Sequence, residues 1–231
     1  MKLPLKSKLL PVLGRDTILE IDGNELFQQE EYARCAEEPW YWLVNYVYTI
    51  RKDEFNPDSK PQVLRFPPKE HLRLVFHKCF EERYLVVDKS RQLTFTWLFV
   101  AYLTHTAQFG QLEDIIVQTK KETDADENLI KRAQFICEKQ RPWLQPRTKY
   151  SYCRLKFLDN GSAMRGLPGG PGAGDQIRSA NPSRYFLDEG GFVDEFEECR
   201  TAALACCRDV KIVSTANYGE FQNFIEDNIA A

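Results

Sequence analysis

A displaced lysine, two adjacent acids and a cluster of small hydroxyls stand in this sequence at the ends of short apolar runs, where side chains can handle a phosphate. The first stretch is Asp88-Lys89-Ser90-Arg91-Gln92-Leu93-Thr94-Phe95-Thr96. It joins an apolar strand to an apolar helix, a junction where phosphate oxygens meet free backbone N–H groups and the positive helix end. A common P-loop closes on glycine, lysine and Ser/Thr, and here those places hold Thr94, Phe95 and Thr96. Lys89, at the start of the turn, can instead reach over the loop to the β- and γ-phosphates, with Arg91 as a second cation and Thr96 as a Mg²⁺ ligand. Thr94 stands where the loop wants glycine, and a β-branched residue tolerates positive φ poorly, which predicts a distorted loop. An ordinary strand-to-helix turn with a solvated Lys-Ser-Arg face accounts for the same letters.

The second stretch is Tyr185-Phe186-Leu187-Asp188-Glu189, an apolar strand closing on two acids. Asp188 at the strand end suits a Mg²⁺ ion with its water, and Glu189, pointing the other way, suits polarising an attacking water. An acidic turn before Gly190-Gly191 is the plain alternative. The third stretch is Lys211-Ile212-Val213-Ser214-Thr215-Ala216-Asn217, whose small polar end can hydrogen-bond a γ-phosphate or its water through Ser214 and Thr215. Each stretch alone is weak. Together they occur in the order required of a P-loop ATPase of the additional-glutamate type, so an ATP site with Mg²⁺ is expected.

The elements that must position these residues alternate between strand and helix. A helix over 71–82 leads to a strand at Tyr84–Val87, an apolar helix at Trp97–Ala107 and a strand at Asp114–Gln118. A helix over Asp126–Gln140 follows, with Leu129, Ala133, Ile136 and Cys137 on one face, and stops at Arg141-Pro142. Runs at Arg154–Leu158 and Ser162–Leu167 flank Asn160-Gly161, a hairpin signal. A strand at Arg184–Leu187, a helix at Val193–Cys207 and a strand at Val210–Ser214 complete the pattern. The expected fold class is α/β, a mainly parallel sheet covered by helices with its site at the strands' carboxyl ends. Residues 1–60 read as an N-terminal helical subregion of the same domain, 61–231 as the core, and the Gly/Pro-rich Gly161–Gly174 as a loop within it.

Composition narrows the classes. The chain has 231 residues, 43% hydrophobic and 28% charged, enough to bury a core. No apolar run is long enough for a membrane span or a secretory leader, so no membrane association is expected. Seven scattered cysteines without a Cys-x-x-Cys pair read as free buried thiols, and His71, His77 and His105 fall in no triad or metal pattern. A net charge of −3 excludes nucleic-acid wrapping by a uniformly basic body, so any DNA contact must be local or shared between subunits.

The stretches resemble the large terminase subunit of tailed phages, from about Trp40 to the end of the chain. Trp42-Leu43-Val44-Asn45-Tyr46-Val47 is similar to that family's entry segment and Lys89-Ser90-Arg91-Gln92-Leu93 to its Ser-Arg-Gln phosphate loop. Arg141-Pro142-Trp143-Leu144 resembles the segment closing the second helix, Leu187-Asp188-Glu189-Gly190-Gly191-Phe192 the Walker B strand, and Ser214-Thr215-Ala216-Asn217 the coupling motif. The resemblance implies an ATPase ring on the capsid portal, served by a small terminase subunit, that moves double-stranded DNA into a prohead in the host cytoplasm. It implies nucleotide and Mg²⁺ binding by Lys89 and Thr96, metal assistance by Asp188 and base catalysis by Glu189. It also implies an arginine from a neighbouring subunit, for which Arg178 is the candidate and Arg165 the reserve. The family's C-terminal nuclease domain is expected to be absent here.

Two other readings compete. A helicase-like ATPase of the DEAD type shares the sheet and the Asp-Glu strand, but calls for a standard Gly-Lys-Thr loop and a second RecA-like domain. A structural or nucleotide-sensing module that has lost its P-loop accounts for Thr94 and Phe95, and the Asp188-Glu189 pair opposes it.

Overall fold

Helix punctuation is explicit near the start of the chain. α1 (Arg15–Asp22) gives way to α2 (Glu25–Glu37), whose N-cap Asn24 accepts from the backbone N–H groups of Leu26 and Phe27 at 3.0 and 3.3 Å. α3 (Pro39–Tyr46) begins on a proline, whose fixed φ and missing N–H suit a first helical position. All of Trp40 to Tyr46 is buried in α3, and the Glu31 carboxylate accepts from the Tyr41 and Tyr46 hydroxyls at 2.5 and 2.7 Å. This computed structural model describes residues 12–51, 58–90, 94–215 and 217–229.

The chain divides into two units, Met1–Pro68 with Lys139–Gln145, and Lys69–Glu138 with Pro146–Ala231. The division falls after Pro68 rather than at residue 60, because β1 (Tyr48–Arg51) pairs antiparallel with β2 (Gln62–Arg65) across that boundary. The first unit is therefore not purely helical. The Arg141–Leu144 segment also belongs to it: Trp42 Nε1 donates to Gln140 Oε1 at 3.0 Å and Trp143 Nε1 to Asp22 Oδ1 at 2.9 Å.

The second unit opens with α4 (Glu70–Glu81), β3 (Tyr84–Lys89), α5 (Phe95–Phe109) and β4 (Asp114–Thr119). α6 (Glu122–Ala125) runs through a π-helical turn at Asp126–Ile130 into α7 (Lys131–Lys139), so the single helix expected over 126–140 starts earlier and changes phase. The buried Asp126 carboxylate holds that turn by accepting from Tyr150 Oη at 2.8 Å and Cys153 N at 2.8 Å. Next come β5 (Thr148–Ser151), β6 (Arg154–Phe157) and β7 (Ala163–Pro168), then α8 (Ala173–Ala180) and β8 (Arg184–Asp188). A 3₁₀ turn at Gly190–Phe192, α9 (Phe196–Cys206), β9 (Asp209–Thr215) and α10 (Glu220–Ile229) finish the unit.

The seven strands are ordered β3-β9-β8-β4-β7-β6-β5, parallel from β3 to β7 and antiparallel in the last two pairings. Side-chain alternation clothes both faces. Tyr185, Leu187, Val210 and Ile212 pack with Ile177, Phe196, Ala203 and Phe221 of α8, α9 and α10. Phe186 points the other way and stacks on Phe99 of the largely buried α5, with ring centroids 5.1 Å apart. The sheet is thus the helix-covered, mainly parallel kind expected. Much of the Gly161–Gly174 stretch is strand rather than loop, since β7 fills 163–168. Gly166 permits it, because a Cβ there would meet Ala125 Cβ at 3.1 Å and Cys153 Sγ at 3.2 Å. Asn160 does more than turn the β6–β7 hairpin. Its Nδ2 donates to the carbonyls of Ala107, Gln108 and Gly110 at 2.7, 2.9 and 2.8 Å and closes the end of α5. All seven cysteines are free, and six are buried.

The amino ends of the strands carry a buried ionic network. Lys211, with no exposed surface, pairs with Asp209 and donates to the Glu82 carbonyl at 2.7 Å. Asp209 also accepts from Tyr102 Oη at 2.8 Å, and Arg184 reaches it at 3.2 Å. Removing one partner strands a charge in the interior, which costs about 3–5 kcal/mol. Lys211→Ala is therefore expected to lower the unfolding free energy by about that much, measured by urea denaturation at neutral pH.

Candidate active site

Parallel register brings three strand ends together. Lys89 lies opposite Thr215 and Asp88 opposite Ser214 across β3 and β9, while Val213 lies opposite Asp188 across β9 and β8. Asp188 follows Phe186 by two residues and so faces α5, where Thr96 Oγ1 donates to its Oδ2 at 3.0 Å. Glu189 leaves the strand in the left-handed region, φ +54°, which carries its carboxylate back over the strand ends. There its Oε1 accepts from Lys89 Nζ at 3.0 Å, and its Oε2 accepts from Thr215 Oγ1 and N at 3.1 and 3.4 Å. The two acids point apart, one to the hydroxyl and one to the lysine.

The third stretch grips the turn that follows the acids. Gly191 N donates to Ser214 Oγ at 2.9 Å, and Asn217 Nδ2 donates to the Gly191 carbonyl at 2.6 Å. A side chain on Gly191 would press on Ser214 Oγ at 3.0 Å and Asn217 Cβ at 3.3 Å, so the clamp requires glycine. Thr215 and Glu189 therefore cannot move independently of that turn.

α5 opens toward this cluster. Its N-cap Thr94 sits at φ +58° and makes no side-chain cap bond, leaving the first-turn N–H groups to whatever approaches from outside the helix. Thr94 adopts left-handed backbone although it is β-branched, at the place where a glycine would enter that region without strain. Thr94 and Glu189, both non-glycine residues in that region, bracket the site, the pattern of strain expected where geometry serves chemistry. Phe95 contributes backbone only, since its ring is buried beside His71 with centroids 6.4 Å apart. Ser90 is exposed at the turn, and Arg91, Gln92 and Leu93 lie outside the described residues.

Burial pushes the Asp188 carboxyl up to about 6, and the neighbouring Glu189 charge pushes the same way, against the Thr96 hydrogen bond and the Lys89 and Arg132 charges. Its Oδ1 is buried with no partner among the described residues. An orphaned carboxylate oxygen beside a threonine hydroxyl is an all-oxygen donor set that suits a hard divalent cation such as Mg²⁺, which keeps most of its water and needs few protein ligands. Among the described residues no group of three or more His, Cys, Asp or Glu side chains gathers to form a larger metal cage.

Arg132 was not foreseen. Its guanidinium lies over the Trp97 ring, 5.0 Å from the centroid, and burial pushes its pKa down while the Asp188 charge acts in the opposite sense. The signal was present: Leu129, Arg132, Ala133 and Ile136 follow the spacing of one helix face, with a cation on an otherwise apolar stripe. The two candidate arginines lie apart from the cluster. Arg178 on α8 pairs with Asp175 at 2.8 Å and Glu198 at 3.6 Å. Arg165 on β7 pairs with Asp114, which opens β4, at 2.5 Å, on the amino side of the sheet rather than the carboxyl side.

No protein-family model matches the chain, and no curated protein matches it. Solved structures do. The large terminase of bacteriophage HK97 superposes with a TM-score of 0.59 at 17% identity over 84% of this chain and 41% of that one. The ATPase domain of the Thermus phage P74-26 large terminase gives 0.51 at 14% identity, covering 67% of each chain. The large terminase of a thermophilic bacteriophage, in a complex with ADP, gives 0.55 at 13% identity over 70% of this chain and 42% of that one. The fold is that of these terminase ATPase domains, and the chain spans about two fifths of the HK97 protein's length.

The electrostatics of Asp188 can be measured. Its folded carboxyl keeps a proton where the unfolded one has lost it, so the stabilising protonated form is complete below about pH 4 and is lost as pH rises through about 6. Asp188→Asn is expected to be more stable than the parent by about 3 kcal/mol above pH 7, a gap that closes between pH 6 and pH 4 in urea titrations.

Proposed function

We propose that this chain is the ATP-hydrolysing unit of a DNA-packaging motor of the large-terminase type. The observation that carries the reading is the meeting of Lys89, Thr96, Asp188, Glu189 and Thr215 at the carboxyl ends of β3, β8 and β9, against the open N-terminus of α5. The fold likeness supports the architecture, and the ADP complex of the thermophilic phage's large terminase is that of a protein with this fold holding a nucleotide.

In this reading the α5 first turn and Lys89 receive the β- and γ-phosphates, and Thr96 and Asp188 hold Mg²⁺ with its water. Bound there, Mg²⁺ neutralises charge on the phosphate oxygens. Glu189 takes the proton of the attacking water. The Lys89–Glu189 ion pair makes binding and catalysis one event. A phosphate that captures the Lys89 ammonium frees the Glu189 carboxylate, and Thr215, bonded to that carboxylate, carries the change into the turn held by Ser214 and Asn217. The displaced lysine takes the part that a P-loop lysine plays elsewhere, which favours an ATPase over a module that has lost its loop. Packing of double-stranded DNA into a prohead, assembly as a ring on the portal, work with a small subunit and completion of the site by Arg178 of a neighbour follow from the same reading, as does action in the host cytoplasm. No described helix is long and apolar enough to cross a membrane.

Glu189→Gln removes the base and also the competitor for Lys89. It is expected to lower ATP turnover at least a hundredfold while tightening nucleotide binding, and Lys89→Ala to weaken binding at least tenfold, by calorimetry and phosphate release. Normal turnover in Lys89→Ala would contradict this reading of the loop.

A further inference from the structure

The sequence from 139 to 158 holds six basic residues and no acidic one in a chain whose net charge is −3. Four of them, Arg147, Lys149, Arg154 and Lys156, fall on or beside the β5–β6 hairpin and are exposed. Alternation puts Lys149, Ser151, Arg154 and Lys156 on one face, and register places Lys149 directly opposite Lys156. On the next strand Arg165 lies opposite Arg154. Among the described residues acids neutralise only part of this face: Asp159 pairs with Arg147 and Asp114 with Arg165. A shallow depression of about 290 Å³ adjoins it, lined by Arg154, Lys156, Leu158 and Gly161 among others.

Like charges directly opposite one another destabilise an antiparallel pair, so the Lys149–Lys156 pair costs the fold unless an anion meets it, and in the Arg154–Arg165 pair Asp114 answers Arg165 alone. A lysine on the edge strand β5 guards against edge-to-edge pairing, but Arg154 and Lys156 stand on β6, which is paired on both sides. The face is also remote from the phosphate turn. β6 is three strands from β8 in the sheet order, about 14 Å at roughly 4.8 Å per strand, so a nucleotide bound by Lys89 leaves these cations unoccupied.

We propose that the outer face of the β5–β6 hairpin is a docking surface for the phosphodiester backbone of duplex DNA, with Lys149, Arg154 and Lys156 as its cations. Side chains on one face of a strand recur at about 6.8 Å, a flat ribbon of charge that matches a duplex bearing one phosphate per roughly 3.4 Å of each strand. Contacts of this kind hold the duplex without reading its sequence. The choice of duplex DNA among polyanions rests on the function proposed above, whereas the unneutralised cation face does not.

The test is fluorescence anisotropy of a duplex of about 30 base pairs against the whole chain, without nucleotide, across a salt series. Binding by the parent is expected, with the Lys149→Glu/Lys156→Glu variant at least tenfold weaker at low salt and its log–log salt slope smaller by about 1.8, roughly 0.9 for each lost phosphate contact. Lys60→Glu, the same change on an exposed lysine of the other unit, is expected to bind as the parent does. Lys149→Glu alone turns a Lys–Lys pair into a Glu–Lys pair, so its Tm should hold or rise while binding falls, which separates docking from folding. Equal binding by parent and double variant, equal loss in Lys60→Glu, or displacement by polyglutamate as effective as by unlabelled duplex would each overturn the proposal. Duplex binding lost in the double variant of a chain that never hydrolyses ATP would uphold it and sink the ATPase reading. ATP turnover without hairpin-dependent duplex binding would do the reverse.

Discussion

Backbone hydrogen bonding between three adjacent parallel strands holds the chemistry of this chain in place. Lys89, Thr215 and the Asp188-Glu189 pair come from segments far apart in the chain, and they meet because β3 and β9 end level while β8 stops opposite Val213, where Glu189 turns back over the strand ends. A slip of one residue of β8 against β9 would turn Asp188 from α5 to the opposite face and break its contact with Thr96. The buried ionic network at the other end of the same strands serves that register. Lys211 and Asp209, satisfied by Tyr102, Arg184 and the Glu82 carbonyl, tie β9 to α5, β8 and the lead-in to β3 below the site.

Stability is given up where the strands open. Two non-glycine residues hold left-handed backbone, a carboxylate is buried with one oxygen unpaired, and a helix start lacks a side-chain cap. Each feature costs the fold, and each suits a charged visitor: a helix start without a side-chain cap, a carboxylate oxygen unpaired among the described residues, a lysine held by a carboxylate it can exchange. The Lys89–Glu189 pair keeps both charges satisfied, and in the function proposed above a phosphate competes for that lysine.

Charge is partitioned across the sheet in keeping with these roles. The Lys89–Glu189 cluster sits toward the β3 edge, the exposed cations of the β5–β6 hairpin at the opposite edge, and acids elsewhere bring the chain to its slightly negative total. A local cationic face on a weakly acidic protein agrees with the inference that any contact with nucleic acid must be confined to part of the surface. The terminase ATPase domains that share this fold do so at 13–17% identity, so the likeness speaks for the scaffold, and the residues at the strand ends must speak for the activity.

Much was legible from the sequence because the signals are local. Apolar periodicity located β3, α5, β4, β8, α9 and β9, and the Asn160-Gly161 pair located a hairpin. What escaped depends on partners distant in the chain. β1 could not be read as a strand without β2 beyond residue 60. The π-helical turn exists because Asp126 answers Tyr150 and Cys153, and Lys211 is buried only because Asp209 and Tyr102 surround it. Arg132 and the Lys89–Glu189 pair belong to the same class. The sequence by itself determined which residue types stand at the strand ends and in what order. Only the tertiary structure decided which of them touch, because register between strands is set by the whole sheet and its helices, and no local spacing encodes it.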